Sequence, residues 1–453
     1  MRGFLIVWSG RWHKALLLAV LAGLGCSGNV DIDLSPDEIS PPVSFTVKTE
    51  SEVVAHLYLS SDTDWGRSGD ESAVVTLYLD KDYTERNQDI VLFKGPERFV
   101  YKVALGRLAP GPHVLELKFD RAKSSAGASR VHLEDMEIRE IPVSRPDSDV
   151  YRFSPILYGR NDNYYTDTPL LMYHEVHREE RTTTIDYTII WSNEDGGTDT
   201  KSLMSRWGRT TDIELTYRVK LDDAGKVLAS YYHGAKHDTL SFQGKWLDEH
   251  PIVRTATLNN QVSDSGWSKY KFFLSPELGK KKGHAREIVM DENPWTYEVM
   301  AKEMKREGKY ESAPNPASAE VSDARNYLYL EFNSTVDAAE TKKLRLTFGV
   351  QLDNDSLWYY SDHQDTTVKA VNRGGWRRTT IELPRGTAPE AVRKLRIRGW
   401  NEGSFRIRLL RISKVFMLDE KYVPVELPYT FAGEIVLDAA HPDTTLSLNR
   451  GVP

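Results

Sequence analysis

The chain has 453 residues, 40% of them hydrophobic and 28% charged, with a formal charge of −7 and a pI near 6.0. That is a globular composition with material for about three domains, and no segment is basic enough to make nucleic acid an expected partner. A single cysteine excludes an intramolecular disulfide, so the folded domains must be held by core burial alone.

The first residues have the order of parts that a secretory signal requires. Arg2, Arg11 and Lys14 make a basic start, and Ala15 to Leu24 form an unbroken apolar run. That run is about half of the roughly 20 residues that span a bilayer. Ala22-Gly23-Leu24-Gly25-Cys26 follows directly. It resembles the lipobox of bacterial lipoproteins, where small residues let a peptidase cut just before a cysteine that carries lipid. The resemblance implies that residues 1–25 are a signal peptide and that Cys26 is acylated, giving the chain a membrane partner through its lipid. Ser27, where an Asp would signal retention, implies an outer-membrane lipoprotein of the cell envelope, periplasmic or surface-exposed. No later apolar stretch approaches membrane-spanning length, so the lipid is the expected anchor.

Residues 26–42 are polar and acidic and end in Pro41-Pro42, which predicts a short lipidated tether. From Val43 the pattern turns to period-two alternation. Val53 to Leu59, Ala73 to Leu79, Arg98 to Leu105, His113 to Phe119 and Val131 to Ile141 are predicted strands, punctuated by Gly, Pro, Asp and Ser. They define a first β-sandwich over residues 43–145. A central β domain, residues 146–300, is rich in Tyr, His and Asp. Thr182 to Trp191, Thr211 to Leu221, Val227 to Tyr232 and Ile252 to Leu258 are its strand candidates. Trp295 to Tyr310 has helical spacing, and residues 301–322 read as helix and linker. Alternation resumes over residues 323–420, a jelly-roll-like sandwich, and residues 421–453 are predicted to be a C-terminal extension without a core of its own. The fold class is therefore all-β, with three sandwich or jelly-roll-like domains in series.

The densest chemical constellation lies in the central domain. His174 and His177 form His-x-x-His, and His233 and His237 form His-x-x-x-His. Asp212 and Glu214 alternate on one strand and so share a face. Imidazole nitrogens and carboxylate oxygens are the donors a divalent metal, calcium or zinc, would use. Asp212, Glu214, His174, His233 and His237 are accordingly the candidate ligands. The acidic loop Trp191 to Asp199 could hold a hard cation, or could be a turn in which Asn and Asp satisfy the backbone.

Ser154-Pro155-Ile156-Leu157-Tyr158, the Tyr-rich loop Asn161 to Tyr165, Ile185 to Trp191, Thr211-Asp212-Ile213-Glu214 and His250-Pro251-Ile252-Val253 then follow in order. This order resembles the β-sandwich of vacuolar-protein-sorting-associated domains and of the secreted necrosis-inducing proteins related to them. In that pattern an Asp-Trp-Glu strand precedes a His-Pro-Val-Val strand. Here Ile213 replaces the Trp, and a Gly-His-Arg-His run is absent. The resemblance implies cation ligation for Asp212 and Glu214.

Flanking regions carry aromatic residues with polar neighbours: Trp358 and Tyr359, Trp376, and Trp400 beside Asn401-Glu402. Exposed aromatic faces stack on sugar rings, so these four are candidate glycan-binding residues; in a core they would be packing. No Gly-x-Ser-x-Gly elbow or phosphate-binding glycine loop occurs, and catalysis has no assignable residue. The expected function is a lipid-anchored envelope protein that binds glycan or another envelope polymer. A metal-dependent hydrolase or membrane-active protein centred on the central domain, and a purely structural envelope protein, are the alternatives.

Overall fold

The computed structural model describes residues 27–28, 30–161, 168–194, 196–311, 320–353 and 356–448. Cys26, the signal segment and part of the Tyr-rich loop lie outside them. The fold is all-β as the alternation predicts, with six mainly antiparallel sheets arranged as consecutive pairs along the chain. Among the described residues no helix is long and apolar enough to cross a membrane.

The first pair holds Ser51–Ser61 between Phe99–Leu108 and Val131–Pro142, facing a second sheet built on Val74–Leu79 and Gly111–Phe119. Ser51–Ser61 is buried almost throughout. Val53, Ala55, Leu57 and Leu59 fill the sandwich, whereas His56 on the opposite face reaches Glu277 of the central region at 2.7 Å. Cover on both faces is why this strand reads as a near-continuous apolar run rather than a clean alternation.

The tether expected over residues 26–42 is instead strapped to this sandwich. Ser27–Gly28 pairs with Glu137 and Met136, and Ile32–Leu34 pairs with Leu133 to Val131. A strand this short, with polar residues on either side, leaves almost no period to detect.

The central region contains a six-stranded sheet whose ladder runs Thr239–Ser241, Val227–His233, Asp212–Asp222, Thr182–Trp191, Pro169–Arg178 and Leu278–Gly279. A smaller sheet joins Ile156–Tyr158 to His250–Thr255 in parallel. The helix predicted at Trp295 to Tyr310 spans Trp295–Arg306 and buries Tyr297, Val299, Met300 and Met304. It packs within the molecule, and the linker expected after it, residues 312–319, lies outside the described residues.

The last pair places Gly375–Glu382, Tyr327–Ala338 and Phe405–Leu418 against Arg345–Leu352 and Val392–Trp400. The expected C-terminal extension belongs to this sandwich: Phe431–Asp438 pairs with Phe405–Leu418, and Asp443–Ser447 with Val392–Trp400. Leu437 and Leu448 are buried in its core. Its exposed alternate residues, such as Glu434 and Asp443, dilute the apolar content that would otherwise have marked a core segment.

Candidate functional site

The site lies where the central sheet meets the C-terminal sandwich. Helix Thr200–Trp207 forms part of its floor. Asp199 caps the helix by accepting from the Ser202 N–H at 2.8 Å, and Gly208 ends it in a left-handed conformation (φ 66°). A Cβ at Gly208 would come within 2.9 Å of the Thr380 side chain, so both the turn and the close approach require glycine there. Hydroxyls of Thr379 and Thr380 donate to the carbonyls of Ser205 and Met204, satisfying helix-end acceptors from the neighbouring sandwich.

Asp212 and Glu214 sit two residues apart at the start of Asp212–Asp222, which puts them on one face. His233 ends the adjacent strand, Val227–His233, and His237 occupies the following turn with a left-handed backbone (φ 58°). Ligand atoms of Glu214, His233 and His237 all lie within 4.8 Å of one another. His233 Nδ1 is 3.4 Å from Glu214 Oε2, and the Gln261 amide is 3.3 Å from His237 Nδ1. Two imidazoles and one carboxylate are a donor set suited to zinc more than to calcium, which takes six or more oxygens.

Electrostatics set this corner apart. Burial, then the charges of Glu214 and Glu194, push the Asp212 carboxyl well above the usual carboxylate range. Burial raises Glu194 too, against the pull of Arg209. Burial also acts on Glu214, but the hydrogen bond from His233 and the Arg286 charge outweigh it and hold that carboxyl low. The same hydrogen bond raises His233. Asn260 donates to Asp212 Oδ2 at 3.2 Å. Carboxyl groups driven apart in acidity by their surroundings are what proton transfer or cation binding uses.

Of the predicted metal ligands, the structure brings Glu214, His233 and His237 together with Asp212 beside them. His174 is not among them. It lies on Pro169–Arg178 opposite Tyr187, with Nδ1 2.8 Å from the Pro276 carbonyl and its acidity increased by burial. The strand Thr182–Trp191 stands between it and Glu214, and a further strand between it and His233, so a shared stretch of sequence did not mean a shared site. In the acidic loop, Glu194 joins the carboxylate group, whereas Asp199 is committed to helix capping.

A cleft of about 860 Å³ opens beside this cluster, bounded by Glu214, His233, Trp207, Arg206, Arg373 and Arg377. A second lobe of about 880 Å³ shares Arg206, Lys342 and Asn372 with it and extends past Trp400. Trp400 is 52% exposed and lines this lobe. The other glycan candidates do not converge on it. Trp358 and Trp400 stand opposite Gln351 and Arg345 of one strand, which separates them by about 20 Å. Trp358 is covered by Arg396, 5.7 Å from its ring, and stacks on Tyr360; Tyr359 packs against the sandwich core. Trp376 leans on His284 at 5.9 Å. The arginines of the cleft were missed in sequence; the run Arg373-Gly374-Gly375-Trp376-Arg377-Arg378 was their one visible trace.

No family model and no curated protein matches the chain. Solved structures with some likeness include NLPPya in complex with mannosamine, at 11% identity over 30% of this chain and 73% of that one, TM-score 0.22. Another is the CBM36-1 domain of a multidomain xylanase from the hindgut metagenome of Trinervitermes trinervoides, at 16% identity over 26% and 87%, TM-score 0.18. A third is the EclA C-terminal domain, a sugar-binding protein, at 11% identity over 28% and 89%, TM-score 0.17. Values this low bear on no residue of the cleft.

Proposed function

We propose that this protein is an envelope component, anchored through an acylated Cys26, that binds a glycan polymer in the cleft between its central sheet and its C-terminal sandwich. The observation that supports this reading is the joined two-lobed cleft, roomy enough for several sugar units and edged by the exposed face of Trp400. Sugar rings would stack on the indole, while Asn372, Gln364 and the arginines would bond hydroxyl groups. Titration of the full chain in nonionic detergent against an array of envelope polysaccharides tests it. Binding that falls at least roughly tenfold in Trp400→Ala is the expected result; an array with no binder overturns it. For the anchor, Cys26→Ser should move the protein from membranes to the soluble fraction and abolish acyl labelling. A variant still retained with the membrane would refute anchoring through that residue.

A second reading, a metal-dependent hydrolase acting in the same cleft, is favoured by the convergence of Glu214, His233 and His237. With three protein donors, a zinc ion would keep an open position for water. Elemental analysis of chelator-free protein should then find one metal per chain, lost in His233→Ala. Metal-free protein at all stages of purification would remove this reading.

A further inference from the structure

Three arginines line the cleft together with its carboxylates. Arg206 is on helix Thr200–Trp207, Arg373 lies in the loop before Gly375–Glu382, and Arg377 is on that strand; all three line the same lobe. No carboxylate of the described residues lies within 4.0 Å of any of them, whereas the two arginines sealed beneath them are matched: Arg209 by Glu287 at 3.2 Å and Arg378 by Asp291 at 2.6 Å. The contrast is chemical. Where the wall is closed, every guanidinium has its counter-ion; where it opens to the cleft, three do not.

Leaving like charges gathered without partners opposes folding, so the arrangement costs stability that a ligand would return. Burial and then the Arg373 charge lower the basicity of Arg206 against the pull of Glu194, and burial with Arg286 and Arg373 lowers that of Arg377 against the pull of Glu287. The cluster is also held in place. Arg206 lies over the Trp207 ring at 4.5 Å and donates to Asn372 at 3.2 Å, and Arg377 donates to the Trp376 carbonyl at 3.0 Å. A net charge of −7 means that this cationic wall is not a by-product of a basic protein. Planar guanidinium forks match carboxylate, sulfate and phosphate oxygens in pairs, a geometry that neutral hydroxyl groups satisfy less well.

We infer that Arg206, Arg373 and Arg377 form an anion subsite that takes the acidic substituents (carboxylate, sulfate or phosphate) of a polyanionic glycan. This rests on the polymer-binding reading above and names its ligand class. Dextran, carboxymethyl-dextran and dextran sulfate of matched length share one backbone and differ in charge, so they separate the two ideas. Each is titrated into the full chain in nonionic detergent, alongside Arg373→Gln/Arg377→Gln.

The expected result is binding of at least one charged polymer, with neutral dextran roughly tenfold weaker or more, and a loss of roughly tenfold or more in the double variant. The preferred polymer tells whether carboxylate or the more highly charged sulfate is the better fit. The double variant should melt at the same temperature as the parent or above it, because repulsion is relieved. Equal binding of neutral and charged dextrans, unchanged in the variant, overturns the anion subsite and leaves the polymer cleft standing. No binding of any of the three overturns the anion subsite, while the polysaccharide array decides the polymer reading by itself. A variant that melts well below the parent also refutes the subsite, since the arginines would then be structural.

Discussion

The central region meets its two neighbours with a different balance of apolar and ionic contact. Toward the N-terminal sandwich the contact is built on an apolar core with polar pairs set into it: residues from Leu34 to Val299 belong to one continuous core, Trp295 stacks on Phe93 at 5.2 Å, and His56–Glu277 and Trp65–Glu303 bond across it at 2.7 and 2.6 Å. The space left there, about 270 Å³, is lined by Phe99, Leu170, Met172 and Trp295 among others. Toward the C-terminal sandwich an ionic network is sealed in. Arg378 holds Asp291 through both nitrogens, at 2.6 and 2.8 Å, and also meets Glu331, while Lys414 closes on Asp291 at 2.9 Å. The space left on that side is three times larger and charged. Apolar packing tolerates many relative placements, whereas a bidentate pair permits one. The junction that carries the cleft is thus the one with a bidentate buried pair at its centre, which fixes geometry as a binding site needs.

Four changes would break or sharpen this contrast. Asp291→Ala removes the carboxylate that Arg378 and Lys414 share, leaving Glu331 and Glu426 as their remaining partners, and should cost about 3 kcal/mol in urea unfolding; a loss below about 1 kcal/mol would show that the network is dispensable. At the apolar junction, Trp295→Ala removes a half-buried ring and should cost about 2 kcal/mol, independent of salt. Strong salt dependence there would contradict the apolar assignment.

Asp212 gives a smaller, pH-linked effect. Its folded acidity is weaker than its unfolded acidity, so the folded state holds the extra proton. Stability of chelator-treated protein should therefore fall as pH rises from the ordinary carboxylate value, 3.8, toward the raised one. Asp212→Asn should flatten that fall and gain on the order of 1 kcal/mol at pH 8; an unchanged profile would refute the assignment.

Least of all is the His233–Glu214 pair. His233 contributes below its raised value and Glu214 above its lowered one, so both are charged across the window between the ordinary values of 4.5 and 6.5. His233→Ala should cost about 0.5 kcal/mol near pH 5.5 and less at pH 8, again without metal. A cost that grows toward alkaline pH would refute the pair.

Legibility in the sequence followed contact distance along the chain. Thr182–Trp191 was readable to the residue because it is a run of β-branched and aromatic residues bounded by polar turn residues. Glu214, His233 and His237 were readable as a group because they belong to neighbouring strands of one hairpin, where pairing brings local residues together. The arginine wall was not, since Arg206 and Arg377 meet only after the last sandwich docks. Trp358 and Trp376 lie away from the cleft, each packed on a neighbouring ring, Tyr360 and His284, a placement their polar sequence neighbours do not reveal. The paired strands Ser27–Gly28 and Ile32–Leu34 were invisible for lack of length.

That first short strand bears on reach. Ser27 is already paired to Glu137, so a lipid on the preceding residue would leave a single residue of slack, about 3.5 Å. An anchored molecule could not drift on a leash above the bilayer. Its first sheet would rest at the headgroups, and the height and bearing of the cleft would be set by the folded body itself.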